Sequence, residues 1–204
     1  MPAQLILVMG VSGTGKSTIA KALAEQLNYI YLDADDFHSE QAKKMMADGQ
    51  PINDEIRQAW ITRILLFLAD EHHKKDRFVL AYSGLKKSQR QRFQQLETQL
   101  SGIFLKGETA IIAQRLANRT AHFFSKTLLD SQFDALELPV ENNDENIKLI
   151  DINQSIENIL SQACQYIYLQ ASSFQDNFYQ NKSFQSDTTQ SVSENNITPQ
   201  RDSS

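Results

Sequence analysis

The stretch Gly10-Val-Ser-Gly-Thr-Gly-Lys-Ser17 constrains this chain more than any other. It fits G-x-x-x-x-G-K-[ST] at every defined position. It also stands between the apolar run Leu5–Met9 and an amphipathic segment carrying Ile19, Leu23 and Leu27. A strand, a glycine-rich turn and a helix in that order make a cradle for phosphate. Glycines admit backbone angles that turn consecutive N–H groups toward one anion, and the following helix aims its positive end at the same place. Gly10, Val11, Ser12, Gly13, Thr14, Gly15, Lys16, Ser17 and Thr18 are therefore the expected contacts to nucleotide phosphates. Lys16 is placed to reach the β- and γ-phosphates of a nucleoside triphosphate, and the Ser17 hydroxyl to hold Mg²⁺.

A phosphate loop does not by itself name a reaction. The chain offers no convincing guanine-reading N-K-x-D sequence, and its 204 residues are few for a motor module. A compact kinase closing over a small acceptor is what these constraints favour. With 41% apolar and 22% charged residues, the chain suits one ordinary core. A net charge of -5 lacks the basic footprint of a nucleic-acid partner. The single cysteine, Cys164, cannot form an internal disulfide and suits a reducing compartment. No apolar run approaches the length of a membrane span, so the expectation is a cytoplasmic protein without a membrane partner.

Short apolar runs at Leu5–Met9, Tyr29–Leu32, Phe78–Tyr82, Ile103–Leu105 and Lys148–Ile152 alternate with segments of helical periodicity. That alternation predicts an α/β fold, a mainly parallel sheet of about five strands flanked by helices. Trp60, Ile64 and Leu68 mark a longer helix, and Ile156, Ile159, Leu160, Ala163 and Ile167 a last one. Residues 1–171 read as the folded domain. Residues 172–204, dominated by Ser, Thr, Asn and Gln, read as a disordered tail, with Phe174, Phe178, Tyr179 and Phe184 as an alternative partner-binding segment.

The second apolar run empties into Asp33-Ala-Asp35-Asp36-Phe37-His38. Ligands of open parallel sheets sit beyond the carboxyl ends of the strands, so these carboxylates should face the phosphates. Phosphoryl transfer to a hydroxyl needs one carboxylate to orient the acceptor and take its proton, and another beside the metal. Asp33 and Asp35, two apart on extended backbone, point the same way and share that work. Asp36 reads as a helix cap, and His38 either as an acceptor contact or as a capping and packing residue. His72 and His73, beside Lys74 and Lys75, read as a solvated helix end, and no Cys/His spacing suggests zinc.

At these residues the chain resembles the gluconokinase family of small ATP-dependent kinases, over about residues 5–170. The likeness runs from the phosphate loop through Asp33-Ala-Asp-Asp-Phe-His38, close to D-G-D-D-F-H. Met46, Gly49, Pro51-Ile-Asn-Asp-Glu55, Arg57 and Trp60 resemble G-x-P-L-x-D-x-D-R-x-P-W. Ser83-Gly-Leu-Lys-Lys87 with Arg90 resembles S-A-L-K-x-x-Y-R. Arg119, His122-Phe123, Leu129-Asp-Ser-Gln-Phe133, Leu136-Glu137 and Pro139 complete the series.

The resemblance implies a phosphate-loop kinase fold of the adenylate-kinase and shikimate-kinase type with a small lid, Mg²⁺ and ATP, and often a homodimer. It implies phosphorylation of gluconate to 6-phosphogluconate. Asp33 would lie near the metal and Asp35 would be the base facing the sugar acid. Arg57, Lys86 and Arg90, with His38, would meet the anionic acceptor. Arg115 and Arg119 lie four apart on one helix before the lid. Arg119 would brace the transferring phosphoryl group or the adenine, with Arg115 as the alternative cation, or else paired with Glu108 or Glu137.

Ser39, Ala42, Met45, Ile56, Ala59, Tyr82 and Gln89 depart from the family pattern, nearly all of them expected on the acceptor side. They keep two alternatives open. One is a kinase for another small hydroxylated acid, and the other an ATP-binding homologue without transferase activity whose tail recruits a partner.

Overall fold

Five strands form one sheet in the order β2-β3-β1-β4-β5, and every neighbouring pair is parallel. They are β1 (Gln4–Met9), β2 (Ile30–Asp33), β3 (Arg77–Ala81), β4 (Gln99–Lys106) and β5 (Ile147–Asp151). The structure is a computed structural model that describes residues 4–50, 52–118, 126–140 and 146–172. Its helices are α1 (Lys16–Leu27), α2 (Glu40–Ala47), α3 (Asp54–Leu68), α4 (Lys87–Gln91), α5 (Thr109–Ala117) and α6 (Lys126–Asp134), with a seventh, α7, over residues 156–166. The chain divides into two compact units, Met1–Tyr166 and Ile167–Ser204. In the second unit the described residues, 167–172, are helical.

The strand order dictates where the site must lie. From β1 the chain steps outward to β2, returns to β3, then crosses β1 to reach β4. Crossovers between parallel strands are right-handed, so reversing the direction of travel puts α1 on one face and α3 with α4 on the other. The order reverses at β1, and a crevice opens beyond its carboxyl end. The phosphate loop leaves β1 at that point.

Both faces of β1 are buried, as its uninterrupted apolar run requires. Leu5, Leu7 and Met9 join Phe78 and Leu80 of β3, Trp60, Ile61 and Ile64 of α3, and Phe93 in one apolar cluster. The alternate residues Ile6, Val8, Val79 and Ala81 are equally buried on the opposite face. Burying each large side chain contributes about 1.5–3 kcal/mol, so α3 is fixed chiefly by Trp60, Ile61 and Ile64. Its start is set locally. Asn53 accepts from Ile56 N–H at 2.8 Å, and Asp54 and Glu55 occupy the positive first turn.

Two local expectations change. Asp36 is exposed and caps no helix: Asp33 caps the 3-10 turn Ala34–Phe37, and Ser39 caps α2 by accepting from Ala42 N–H at 3.2 Å. His73 is not a solvated end, because α3 stops at Leu68. Its ring packs on Phe67 at 4.4 Å and Phe78 at 5.6 Å, and Nδ1 meets Asp76 Oδ2 at 2.8 Å. The tail beyond residue 172, with its four aromatic residues, lies outside the described residues. No helix of the described residues is long and apolar enough to cross a membrane.

Candidate active site

The loop from Gly10 to Ser17 is built as a cradle. Gly13 and Gly15 have φ of 87° and 94°, in the left-handed region that side chains resist. A Cβ on Gly13 would lie 2.8 Å from Leu116 Cγ, so the missing side chain also lets the loop pack against α5. A Cβ on Gly15 would meet nothing within 4 Å, which leaves space at the mouth of α1. Gly15 is the N-cap of α1 and supplies no side-chain oxygen, and the first turn holds no acidic residue. The first N–H groups of a helix want an acceptor, and an anion can be that cap. Lys16 Nζ donates to the Val11 carbonyl at 3.1 Å, and Thr14 Oγ1 donates to the same carbonyl at 2.9 Å. Gly10 N–H bonds to the Ser83 carbonyl at 3.1 Å, tying the loop to the segment that follows β3.

Asp33 ends β2 beside this loop. Its Oδ2 accepts from Ser17 Oγ at 3.3 Å and from the Tyr31 hydroxyl at 2.7 Å, and its Oδ1 from Asp35 N–H at 3.1 Å. Ser17 and Asp33 therefore stand together and can hold a cation beside a phosphate. Burial and the bond to Asp33 push the Tyr31 phenol above its ordinary titration range, so the hydroxyl remains a donor. Asp35 reaches the site by a route the sequence did not suggest. It lies in the 3-10 turn rather than on extended backbone, and the Asp33 cap sets its position. Its carboxyl titrates above the ordinary carboxylate value, from partial desolvation first and the Asp33 charge second, with Lys16 opposing. With its side chain 83% exposed, water screens these effects.

The acidic turn is held from behind by α3. Trp60 Nε1 donates to the Ala34 carbonyl at 2.6 Å, and Arg63 Nε to the Phe37 carbonyl at 2.7 Å. His38 stacks on Trp60 at 4.4 Å and 11°. Only 3% of its side chain is exposed, and its Nε2 is 3.8 Å from Asp35 Oδ1. Burial first, then the charges of Arg63, Lys43 and Arg57, hold its titration down at about 4. It is a neutral packing residue behind Asp35.

The expected acceptor cations separate into two kinds. Arg57 Nη1 and Lys86 Nζ both lie 3.2 Å from Asp54 Oδ1, an open network whose carboxylate is 70% exposed. Arg90 is different. It is 3% exposed, and its Nη1 donates to the carbonyls of Gly84 at 2.9 Å, Leu85 at 3.2 Å and Glu137 at 2.9 Å. This guanidinium holds main chain and is not presented to an acceptor. Arg115 Nη2 donates to the Ile152 carbonyl at 2.9 Å, joining α5 to the segment after β5. Arg119, His122 and Phe123, and with them the expected lid, lie outside the described residues.

Two residues matter more than their motif positions suggested. Gln132 on α6 accepts from Ser12 N–H at 2.7 Å and donates to Ser12 Oγ at 3.0 Å, so α6 grips the phosphate loop directly. Glu137 Oε2 accepts from Lys87 N–H at 2.7 Å, while its own N–H donates to the Leu85 carbonyl at 2.9 Å. The only signal for either was its place in an ordered motif. Nothing in local spacing foretells a contact across 120 residues.

Comparison with known proteins agrees with this geometry. A family model described as an AAA domain matches residues 5–139. A protein of Dictyostelium discoideum named as a probable gluconokinase is 37% identical over 171 residues, spanning 80% of this chain and 86% of that one. The thermoresistant gluconokinase of Escherichia coli K12 is 33% identical over 80% of this chain and 93% of its own length. The chain belongs to the gluconokinase family. The crystal structure of a gluconokinase from Sinorhizobium meliloti superposes with a TM-score of 0.74 at 30% identity, covering 87% of this chain and 97% of that one.

Against the gluconokinase pattern, several departures turn out to be packing positions. Ala42 is fully buried, Tyr82 lies in the apolar cluster at 1% exposure, and Gln89 is 3% exposed. Ser39 is a helix cap and Ala59 is exposed. Met45 and Ile56 are half-buried, so the departures divide between packing positions and partly open ones.

Proposed function

We propose that this protein transfers the terminal phosphoryl group of ATP to D-gluconate, giving 6-phospho-D-gluconate and ADP. The observation that carries the reading is the meeting of Lys16, Ser17, Asp33 and Asp35 at the carboxyl ends of β1 and β2 in a chain of the gluconokinase family.

The loop N–H groups and the start of α1 receive the phosphates of ATP, and Lys16 exchanges the Val11 carbonyl for a phosphate oxygen. Ser17 and Asp33 fit Mg²⁺, which takes phosphate oxygens, a hydroxyl and one or two carboxylates rather than a cage of protein ligands. When bound, the ion neutralises charge on the phosphates. Asp35 orients the acceptor hydroxyl and takes its proton. As the new oxygen–phosphorus bond forms, the bond from the γ-phosphorus to the β,γ-bridging oxygen breaks, and ADP carries that electron pair away. Arg57 and Lys86 receive the carboxylate of gluconate, each giving a charge-assisted hydrogen bond while sharing Asp54. Arg115 and Arg119 serve the nucleotide side, bracing the base and the transferring phosphoryl group.

A coupled assay with Mg²⁺, ATP and a panel of sugar acids tests this. Turnover on gluconate well above that of Lys16→Met supports it, and turnover no higher than that control refutes it. A larger kcat/KM on another acid in the panel would keep the reaction and change the substrate.

A further inference from the structure

We propose that Tyr31 is a positioning residue of this site, its hydroxyl fixing the Asp33 carboxylate so that Ser17 has a set acceptor for its proton. The inference rests on the reading of Ser17 and Asp33 as the cation-side pair. Tyr31 and Asp33 are two apart on β2, so their side chains leave the same face of the strand. The Tyr31 hydroxyl donates to Asp33 Oδ2 at 2.7 Å, and Ser17 Oγ donates to the same oxygen at 3.3 Å. Asp35 N–H holds the other oxygen at 3.1 Å. The Tyr31 ring is steadied in turn by Lys21 of α1, whose Nζ lies 5.2 Å from the ring centroid.

A serine that ligates a cation does so through an oxygen lone pair, and its proton must point at another acceptor. Here that acceptor is Asp33 Oδ2. An aspartate carboxylate turns readily about its terminal torsion, and a change of orientation would withdraw Oδ2 from Ser17. Asp35 N–H alone restrains one oxygen. The Tyr31 hydroxyl restrains the second, on the side that faces Ser17. No phosphate-loop motif includes position 31, because Tyr31 acts on the site only through Asp33.

The test is Tyr31→Phe, which keeps the ring and the contact with Lys21 and removes one hydrogen bond. The Mg²⁺ concentration giving half-maximal activity should rise about 3–10-fold, with kcat at saturating Mg²⁺ within about 3-fold. Calorimetric affinity for ATP should weaken by a similar factor in Mg²⁺ and stay unchanged in EDTA. Lys21→Ala, which keeps the hydroxyl and removes only the cation beside the ring, should move the Mg²⁺ midpoint less than Tyr31→Phe does, and a larger shift overturns the assignment to the hydroxyl. A wild-type Mg²⁺ midpoint in Tyr31→Phe overturns the proposal. So does an equal loss of ATP affinity with and without Mg²⁺, which would mark Tyr31 as part of the fold alone. Ser17→Ala separates the two levels: if it too leaves the Mg²⁺ dependence of ATP binding unmoved, the reading of the cation-side pair fails, not merely the role of Tyr31.

Discussion

Gln132 engages both the N–H and the hydroxyl of Ser12, accepting from the first at 2.7 Å and donating to the second at 3.0 Å. The two residues are 120 positions apart, one in the phosphate loop and one on α6, so the clasp fixes the loop from outside. Gln132→Leu keeps the bulk and removes both bonds, each worth about 0.5–1.5 kcal/mol. The expected result is an ATP KM raised about 5–30-fold with kcat within about 3-fold, since the clasp shapes the loop and touches no reacting atom. Nucleotide affinity measured by calorimetry checks it. Unchanged ATP affinity would reduce the clasp to packing.

Arg90 and Lys86 give opposite expectations although four residues separate them. Arg90→Met removes the donor that the Gly84, Leu85 and Glu137 carbonyls share, of which Leu85 keeps the Glu137 N–H, a loss of about 2–4 kcal/mol in unfolding free energy. Lys86→Ala removes a half-buried cation paired with the exposed Asp54 carboxylate and should leave stability within about 1 kcal/mol. It should raise the gluconate KM about 10-fold or more. Urea unfolding and acceptor kinetics on the two variants separate these outcomes. A stable Arg90→Met with a weakened acceptor KM would restore Arg90 to the acceptor site.

The phosphate loop, the five parallel strands and the end of β2 were legible because each is written in local sequence: a fixed spacing, an apolar run, an acidic cluster. Boundaries moved by a residue or so, except at β4, where the apolar Ile103–Leu105 core extends to Gln99–Lys106 through the polar residues Gln99 and Ser101, both buried. Roles that depend on distant partners were hidden. Arg90 looks like a free cation until the chain brings the Gly84–Leu85 loop and Glu137 around it. His73 looks solvated until Phe67 and Phe78 converge on its ring. Asp35 stands beside Asp33 as its spacing suggests but by another geometry, since a 3-10 turn, and not a strand, carries it.

Burial of His38 makes stability depend on pH. Its titration lies at about 4 in the folded chain, against an ordinary value of about 6.5 when unfolded. The unfolded chain therefore binds the extra proton between those values, and stability rises with pH across that window. The contribution is complete above about pH 6.5 and is lost as pH falls toward 4, on the order of 2–3 kcal/mol in all. His38→Gln removes the titrating group. Urea unfolding of both proteins from pH 7.5 to 4.5 should show wild type losing its advantage as the medium becomes acidic. A constant difference would mean that burial does not hold His38 neutral.

Asp35 is the carboxylate whose loss should separate chemistry from binding. Lys16 stands close enough to oppose the upward shift of its titration, and its open side chain leaves room for an acceptor hydroxyl. Asp35→Asn keeps the shape of the turn and its capping bond, because that bond uses the Asp35 N–H and not its carboxylate. The amide cannot accept the hydroxyl proton, so kcat should fall about 10²–10⁴-fold. ATP affinity should stay within about 3-fold. The wild-type rate should also decline in acid as Asp35 takes up a proton, with a midpoint above about 4, the ordinary aspartate value, because its titration is raised. That limb should vanish from the residual activity of Asp35→Asn. An equal loss of ATP binding would instead place Asp35 against the nucleotide, and Asp33 would then be the carboxylate to test as the base.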